Sequence, residues 1–359
     1  MATRLINLLG VGTCVEDDLL EGPDNPKGLW ESASLMDLND RLLAQLGCDW
    51  SCPRPLESGW ERRAPLDGLQ REAEELFPRV IPDEQWVWKD PRNCLLLPFW
   101  LERLDVRPVI VLVYRNPLEV AASLQLRNGH GKLHALALWE RYVRQSLAAA
   151  AGLPALVTSY SELLSAPLDW CEQVRELLGG VGVPTRPADE PHVRAFVEAG
   201  LRHQEFDTAA IADDPAFSAS QRALYAALET LDGRHEAFSP PDLPPETPST
   251  EALFAERRIA YRLQRELDAL HTAQAQLEER LGSLKNAHAA LEEHVSSLAG
   301  ENEGLRGALA ALESEKDDLA DLLTAVTRSR SYRYTAPARA FHARAHRWLG
   351  RVRPNTRSS

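Results

Sequence analysis

The sequence lacks the features that carry a chain into or across a membrane. It contains no run of eighteen apolar residues, so no segment has the length and polarity of a membrane-spanning helix. Its first residues do not combine a basic start, an apolar core and a small-residue cleavage site, so they do not form a signal-peptide pattern. These absences predict a cytoplasmic protein.

Cysteine is also scarce. The 359 residues include five cysteines, an odd number at scattered positions, which argues against a disulfide framework and suits a reducing compartment. Cys48 and Cys52 have the spacing of half a metal site, but no second pair of Cys or His stands at ligand spacing nearby. The sequence therefore predicts no metal site.

Positive charge is concentrated at one end of the chain. Residues 328–359 contain nine Arg and no Lys, Asp or Glu, so the formal net charge of −13 leaves −22 for residues 1–327. An acidic body argues against general nucleic-acid binding. A ligand with several phosphates would have to be held by local positive groups.

Residues 1–238 alternate between strand-like and helix-like segments. Apolar runs predict parallel strands at residues 85–89, 109–114 and 155–159, the second of them buried on both faces. Apolar spacing and end signals predict helices at residues 1–9, 34–46, 118–126, 133–150 and 168–178. Ser34 with Asp37 suggests a capping box, and Gly179 with Gly180 should end the last helix. The alternation predicts an α/β fold with helices on both faces of a parallel sheet.

A cation follows the strand predicted at residues 109–114. Arg115 comes directly after it, and Ser123 lies two turns into the next predicted helix. Open α/β sheets bind anionic ligands outside the carboxyl ends of their strands. Arg can bind a phosphate through two parallel hydrogen bonds, and Ser adds a neutral donor. Arg115 and Ser123 are therefore candidates for a phosphate site.

Four segments, in order along the chain, resemble the sulfotransferase superfamily, and more closely its bacterial carbohydrate or tyrosyl-type members. They are Asp24–Glu31, Trp88–Arg92, Tyr114–Ser123 and Tyr160–Leu164. The resemblance covers residues 1–238. It implies a P-loop-NTPase-like parallel sheet and transfer of a sulfuryl group from the co-substrate 3′-phosphoadenosine 5′-phosphosulfate to a hydroxyl of a glycan or glycolipid, without a metal ion.

The resemblance also implies roles for residues that would bind the donor. Arg115 and Ser123 would hold its 3′-phosphate, and Tyr160 would lie near its adenine. Lys89 would stabilise the bridging oxygen or the sulfuryl group. Two structural alternatives stay open: Lys89 as a solvated residue at a strand end, and Tyr160 as a core aromatic with its hydroxyl at the rim.

The catalytic base and the acceptor site are less specified. Aryl-type relatives use a His just after the strand Lys, and this chain has none there. Glycosyl and tyrosyl relatives use a carboxylate as the base, which makes Glu31 the first candidate and Asp90 the second. Trp30 and Arg92 would face the acceptor. Glu31 could instead only favour a helix N-terminus, and Arg92 could pair with Asp90.

One element of the family has no counterpart in the sequence. The family begins with a strand and a loop of the form Arg-Ser-Gly-Thr-Ser, whose amides and hydroxyls bind the 5′-phosphosulfate. Residues 1–10 instead have the pattern of the helix that follows this loop. The resemblance therefore implies that the chain as given is inactive in transfer, either because its start was placed at an internal Met or because the loop was lost.

The C-terminal third of the sequence contains a heptad repeat. Residues 239–249 include five prolines and predict an extended, semi-rigid linker. Leu then recurs every seven residues from Leu263 to Leu319; with these at heptad position d, the pattern predicts a coiled coil over residues 250–327. We expect a homodimer through the Leu263–Leu323 heptads, preferably parallel, with antiparallel pairing left open. Every second a position is polar, namely Gln274, His288, Asn302 and Lys316.

The basic tail, residues 328–359, begins with a segment, Ser329–Pro337, that resembles a motif ending many bacterial glycan-modifying enzymes. Beyond it, four apolar residues share one helical face: Phe341, Ala345, Trp348 and Leu349. The pattern predicts either a short amphipathic helix on an anionic membrane surface or a disordered tail.

Three functions are compatible with these patterns. The first is a sulfotransferase acting on a cell-envelope glycan or glycolipid at the inner face of the membrane. The second is a catalytically degenerate domain of the same fold, acting as a coiled-coil scaffold in envelope glycan assembly. A nucleoside-kinase-like transferase is the third, and it lacks its Gly-Lys-Ser/Thr loop here.

Overall fold

A computed structural model describes residues 1–20, 28–57, 59–62, 66–197 and 206–351. The chain divides into two units, residues 1–267 and 268–359. None of the helices in these described ranges is long and apolar enough to cross a bilayer.

The first unit is an α/β domain. In chain order its elements are α1 (Ala2–Leu8), α2 (Ala33–Gln45), α3 (Asp67–Val80), α4 (Asn93–Leu104), β1 (Ile110–Tyr114), α5 (Pro117–Asn128), α6 (Lys132–Ala149), β2 (Ala155–Ser159), α7 (Tyr160–Ser165), α8 (Pro167–Gly180), α9 (Glu190–Phe196), α10 (Ala209–Asp213), α11 (Ala219–Leu231), β3 (Gly233–His235) and the start of α12 (Pro248–Arg328).

The described sheet has three strands in the order β1-β2-β3. β1 and β2 are parallel, with Tyr114 opposite Ser159, whereas β3 runs antiparallel to β2, with His235 opposite Ala155. The predicted α/β class is confirmed, and the expectation of an all-parallel sheet is wrong. Sequence patterns did not predict β3, because its three residues, Gly233–His235, contain no apolar run.

Helices cover both faces of this sheet, as predicted. Alternate residues of a strand point to opposite faces. Ala155 and Val157 of β2 pack with residues of α5, α6 and α11, while Leu156 between them packs with residues of α1, α8 and α9. Two apolar layers therefore hold the sheet in place.

Two strand predictions need correction. Residues 85–89 do not form a strand; they make an isolated parallel bridge to Gly12, in which Gly12 N donates to Gln85 O at 2.9 Å and Val87 N donates to Gly12 O at 2.8 Å. The ladder stops after one residue, because Val15 donates to Val80 O and the chain enters a 3₁₀ turn at Glu16–Asp18. β1 is not buried on both faces: residues 110–113 are half-buried, since β1 is at the edge of the described sheet.

Two helix ends also differ from the prediction. Ser32, not Ser34, caps α2, because its Oγ accepts from Leu35 N at 3.1 Å, while Ser34 N donates to Asp18 at 3.1 Å. The predicted capping box of Ser34 with Asp37 is therefore wrong. α8 runs through Gly179–Gly180, and the turn that ends it has Gly182 at φ +81°.

A second apolar cluster packs α2, α3 and α4 together. Its aromatic centre is Phe77, whose ring lies 5.0 Å from Trp86 and 5.5 Å from Trp88, with Trp100 4.7 Å from Trp88. These contacts hold the rings of Trp86 and Trp88 in the cluster, outside the three-stranded sheet. Lys89 follows Trp88 directly, so the cluster fixes the position of the Lys89 backbone.

The Pro-rich segment lies against the first unit. Ser220 Oγ donates to Pro245 O at 2.7 Å, and Thr247 N donates to Glu140 Oε1 at 3.1 Å. The base of α12 is also packed: Phe254 is fully buried beside Cys52, Ala137 and Leu138.

The second unit contains the remainder of α12, then α13 (Arg330–Tyr334) and α14 (Ala336–Arg351). Ser329 caps α13 by accepting from Tyr332 N at 3.2 Å, and the Arg339 guanidinium lies 3.4 Å from the centre of the Tyr332 ring. The helical alternative for the tail is therefore the one observed. The side chains predicted at Trp348 and Leu349 lie outside the described part.

Candidate functional site

Arg115 and Tyr160 lie side by side at the carboxyl ends of β1 and β2. The register pairs Tyr114 with Ser159, so the residues that follow them leave the sheet at the same edge. The Arg115 guanidinium carbon lies 4.9 Å from the centre of the Tyr160 ring, within cation–π range. The sequence predicted both residues for this edge, and the structure brings them together.

A buried carboxylate accompanies this arginine. Arg115 Nε donates to Glu119 Oε2 at 2.7 Å; the Arg115 side chain is 27% exposed and that of Glu119 is 1% exposed. Ser123 lies one helical turn beyond Glu119 on α5, on the same side of the helix. An anion that binds Arg115 must therefore share it with Glu119. Sequence reasoning missed Glu119, although its position four residues after Arg115 is the spacing of a helical ion pair.

A second carboxylate lies behind this edge. Tyr114 OH donates to Asp232 Oδ2 at 2.8 Å. Burial raises the pKa of the Asp232 carboxyl above its usual range, and nearby Glu162 raises it further. No pattern in the sequence identified Asp232, which is 118 residues from its partner.

Glu31 and Lys89 form an ion pair between Lys89 Nζ and Glu31 Oε1. The Glu31 side chain is 8% exposed and that of Lys89 is 44% exposed, so the pair has one buried and one accessible member. Burial and then Lys89 lower the pKa of the Met1 amine, to about 6, while Glu31 opposes them. The N-terminus of α1 therefore lies near this pair.

Trp30, the residue before Glu31, has an unusual backbone. Its φ is +58°, a left-handed value that costs a bulky residue free energy and marks a conformation held by its surroundings. The Arg4 guanidinium carbon of α1 lies 4.7 Å from the centre of its ring. Residues 24–27 of the motif that contains Trp30 and Glu31 lie outside the described residues.

Asp90 and Arg92 belong to a buried network. Asp90 accepts from Asn39 Nδ2 at 2.8 Å, from Arg92 N at 2.9 Å and from Arg92 Nη1 at 3.1 Å. Arg92 also binds Asp40 through Nε and Nη2, at 2.5 and 2.9 Å. The Asp90 side chain is 1% exposed and the Arg92 side chain is 12% exposed, so both are mostly buried. This geometry supports the structural alternative for Arg92, in which it pairs with Asp90.

An open cleft of about 420 Å³ lies beside the Gly12 bridge, away from the predicted residues. Its lining is polar and includes Asn7, Asp83, Glu84 and Arg186. Asp83 packs so closely on Gly12 that an added Cβ would lie 1.9 Å from its Oδ2. Within the described residues, no group of three or more His, Cys, Asp or Glu side chains is arranged to hold a metal ion.

Comparisons with known proteins identify no relative. No protein family, no curated protein and no solved structure matches this chain.

Proposed function

We propose that residues 1–238 form a sulfotransferase-type domain that binds 3′-phosphoadenosine 5′-phosphosulfate and directs its sulfuryl group to a hydroxyl of a glycan or glycolipid. The proposal rests on the four motifs that resemble the sulfotransferase superfamily. The observation that carries it is the contact of Arg115 with Tyr160 at the carboxyl ends of two parallel strands. A cation beside an aromatic ring at this edge suits a phosphate next to a nucleobase.

The Lys89–Glu31 pair supports the chemical step. Glu31 would accept the proton of the acceptor hydroxyl while the hydroxyl oxygen bonds to sulfur. The bond between sulfur and the bridging phosphate oxygen breaks, and adenosine 3′,5′-bisphosphate leaves with the charge that Lys89 would stabilise. An accessible Lys next to a buried carboxylate suits these two roles, because the Lys89 ammonium can turn towards a ligand while the Glu31 carboxylate stays fixed.

Binding of adenosine 3′,5′-bisphosphate, the product of the donor, tests the proposal directly. It needs the 3′-phosphate site but does not need transfer, which matters because the family's 5′-phosphosulfate loop has no counterpart in this sequence. Arg115→Ala should weaken binding by about 10- to 150-fold, since a charged hydrogen bond contributes about 1.5–3 kcal/mol. Glu119→Gln should strengthen it several-fold, because it removes the carboxylate that shares Arg115.

Titration calorimetry of the purified chain would measure these affinities. Arg127→Ala is the matched control, because Arg127 is an exposed arginine on the same helix, α5, and should leave the affinity unchanged. Equal affinities for the original chain and the Arg115→Ala variant would contradict the site assignment.

A non-catalytic scaffold is the second candidate. The Glu119 carboxylate favours it, because it neutralises Arg115, the cation that is proposed to bind the phosphate. The long α12 with its exposed leucines also favours it. If the nucleotide does not bind at millimolar concentration while the fold is intact, the scaffold is the better account.

A further inference from the structure

The outer part of α12 carries an apolar stripe that nothing in the described residues covers. Near its base the helix is packed: Phe254 is fully buried, and Arg258 Nη1 donates to Pro53 O at 3.0 Å. From Leu263 onwards the leucines at heptad position d are between 49% and 71% exposed. The heptad pattern therefore begins beyond the packed base of α12.

We call this stripe the seam and define it by its fourteen apolar side chains. They are Leu263, Leu270, Leu277, Leu284, Leu291, Leu298, Leu305, Leu312 and Leu319 at position d, and Leu267, Leu281, Val295, Leu309 and Leu323 at position a. Full burial of one fully exposed side chain of this kind removes on the order of 60–120 Å² from water. The fourteen side chains are 45–71% exposed, so covering the seam would bury on the order of 700 Å² per helix. A stable protein interface buries about 800 Å² per partner.

We propose that the seam binds a second copy of this chain as a parallel, in-register, two-stranded coiled coil. The proposal does not depend on the enzymatic function. Leu at d and a polar residue at alternate a positions is the pattern of dimers rather than of larger bundles.

The polar a residues decide the orientation. In a parallel in-register pair each of them meets its own counterpart, so Asn302 can hydrogen-bond to Asn302 of the second copy, and Gln274 to Gln274. In a fully overlapping antiparallel pair each would meet a leucine instead. The four opposed pairs would be Gln274 with Leu312, His288 with Leu298, Asn302 with Leu284, and Lys316 with Leu270. Burying polar groups against leucine without partners is costly, so the parallel arrangement is favoured.

The charges beside the seam do not reverse this preference. In the parallel pair Glu301 lies near Arg306 of the second copy and attracts it, whereas Arg280 lies near Lys285 and repels it. Each exposed pair contributes about 0.2–1 kcal/mol, so one attraction and one repulsion nearly cancel.

The glycines of this helix are placed off the seam. Gly282, Gly300, Gly304 and Gly307 occupy outer heptad positions, and nothing lies within 4 Å of where their Cβ would be. Each glycine costs a helix interior about 1 kcal/mol relative to alanine, and three of them fall within eight residues around Asn302. Helical structure in this stretch therefore needs the free energy of pairing.

Cysteine cross-linking of the full chain distinguishes the orientations. Leu270→Cys should form a symmetric disulfide with oxidised glutathione as the oxidant, because parallel in-register pairing brings the two copies of residue 270 together. Lys316→Cys should do the same. Ser283→Cys, at an outer position, is the control and should cross-link roughly tenfold more slowly or less. The native thiols add little background, because burial raises the pKa of Cys14 and Cys171 to about 11 and of Cys52 to about 12.

Every other outcome overturns the proposal. Cross-links that form only when the Leu270→Cys and Lys316→Cys chains are mixed would show antiparallel pairing. A monomer in sedimentation equilibrium at micromolar concentration, without cross-links, would show that the seam does not bind a second copy.

Replacing Asn302 with Leu should raise the melting temperature and produce species larger than the dimer. An unchanged melting temperature and a single species would place Asn302 outside the interface.

Discussion

Lys89 Nζ donates to the buried Glu31 carboxylate across 58 residues of sequence. The two residues come from motifs that the sequence resemblance placed in one site, but no sequence pattern predicted their direct contact. The contact joins the segment after α1 to the aromatic cluster of α3 and α4. It therefore contributes both to the proposed chemistry and to the stability of the fold.

The stability contribution of this pair can be measured with a double-mutant cycle. Lys89→Met should lower the free energy of unfolding by about 1–3 kcal/mol, because it leaves a buried carboxylate without its charged partner. The effect should be smaller in a Glu31→Gln background, where no charge remains to be compensated. Urea denaturation of the original chain, the two single variants and the double variant gives the coupling free energy between Lys89 and Glu31. Additive effects would show that the pair is not formed in solution.

The histidine pair near the base of α12 should make the fold sensitive to acid. The buried His130 ring lies 4.9 Å from His134 and 5.5 Å from Trp50. Burial lowers the pKa of His130, and the charge of Arg257 lowers it further. The unfolded chain then binds more protons below about pH 6.5, so stability is full above that pH and falls as the pH drops.

Replacing His130 with Phe should remove part of this acid sensitivity. The aromatic ring keeps the contacts with Trp50 and His134, and neither His130 nitrogen has a hydrogen-bond partner among the described residues. The melting temperature should therefore differ less between pH 7.5 and pH 5 in the variant than in the original chain. An equally large difference in His130→Phe would assign the acid sensitivity to other groups.

Arg141 should hold the Pro-rich segment in place. Its side chain is 2% exposed, and it binds Glu246 through Nε and Nη2 at 2.6 and 2.7 Å and Glu251 through Nη2 at 3.0 Å. Arg141→Met should cost about 2–3 kcal/mol, since the carboxylates that lose their partner are only partly buried. Hydrogen exchange at the Thr247 and Thr250 amides should accelerate. Arg127→Met, an exposed arginine, should change neither quantity; the same rates in both variants would mean that Arg141 does not restrain the segment.

The basic tail should bind anionic membranes. Arg344 and Arg347 are exposed on α14, and Phe341 is 78% exposed. Each arginine near an anionic surface contributes about 1 kcal/mol, so replacing both with Gln should weaken binding to phosphatidylserine vesicles by roughly 30-fold. Replacing Arg71 and Arg79, which are exposed on α3, changes the net charge equally and should have little effect. Equal losses in the two variants would indicate a response to overall charge alone.

The elements that the sequence predicted best are those whose signal is local. Residues 155–159 form β2 as predicted, and α6 differs from its prediction by one residue at each end. The strand predicted at residues 85–89 failed because a strand needs a partner, and only Gly12 lies opposite. β3 was missed for the converse reason: it pairs with β2 from Gly233 onwards, where φ is +124°, without any apolar run in its sequence.

The same distinction applies to the site. Arg115 and Tyr160 could both be placed at the carboxyl edge because each follows a strand that the sequence predicted; that the two strands are neighbours is a finding of the structure. The ion pair of Arg115 with Glu119 could have been predicted from the sequence, since a spacing of four residues is typical of ion pairs on a helix. The contact of Asp232 with Tyr114 depends on the antiparallel strand that the sequence did not reveal. The hydrogen bonds of Asp90 with Asn39 and of Arg92 with Asp40 likewise follow from tertiary packing with α2.

Gly12 links the backbone of the first unit to its charged pair. Its two hydrogen bonds hold residues 85–87, and Lys89 follows two residues later. A Cβ at position 12 would lie 2.6 Å from the Cβ of Asp83 as well as 1.9 Å from its carboxylate, so the segment would have to shift. Position 12 should consequently tolerate exchange as poorly as position 31 or 89, although glycine has no functional group, and a screen of random substitutions would mark it among the intolerant positions.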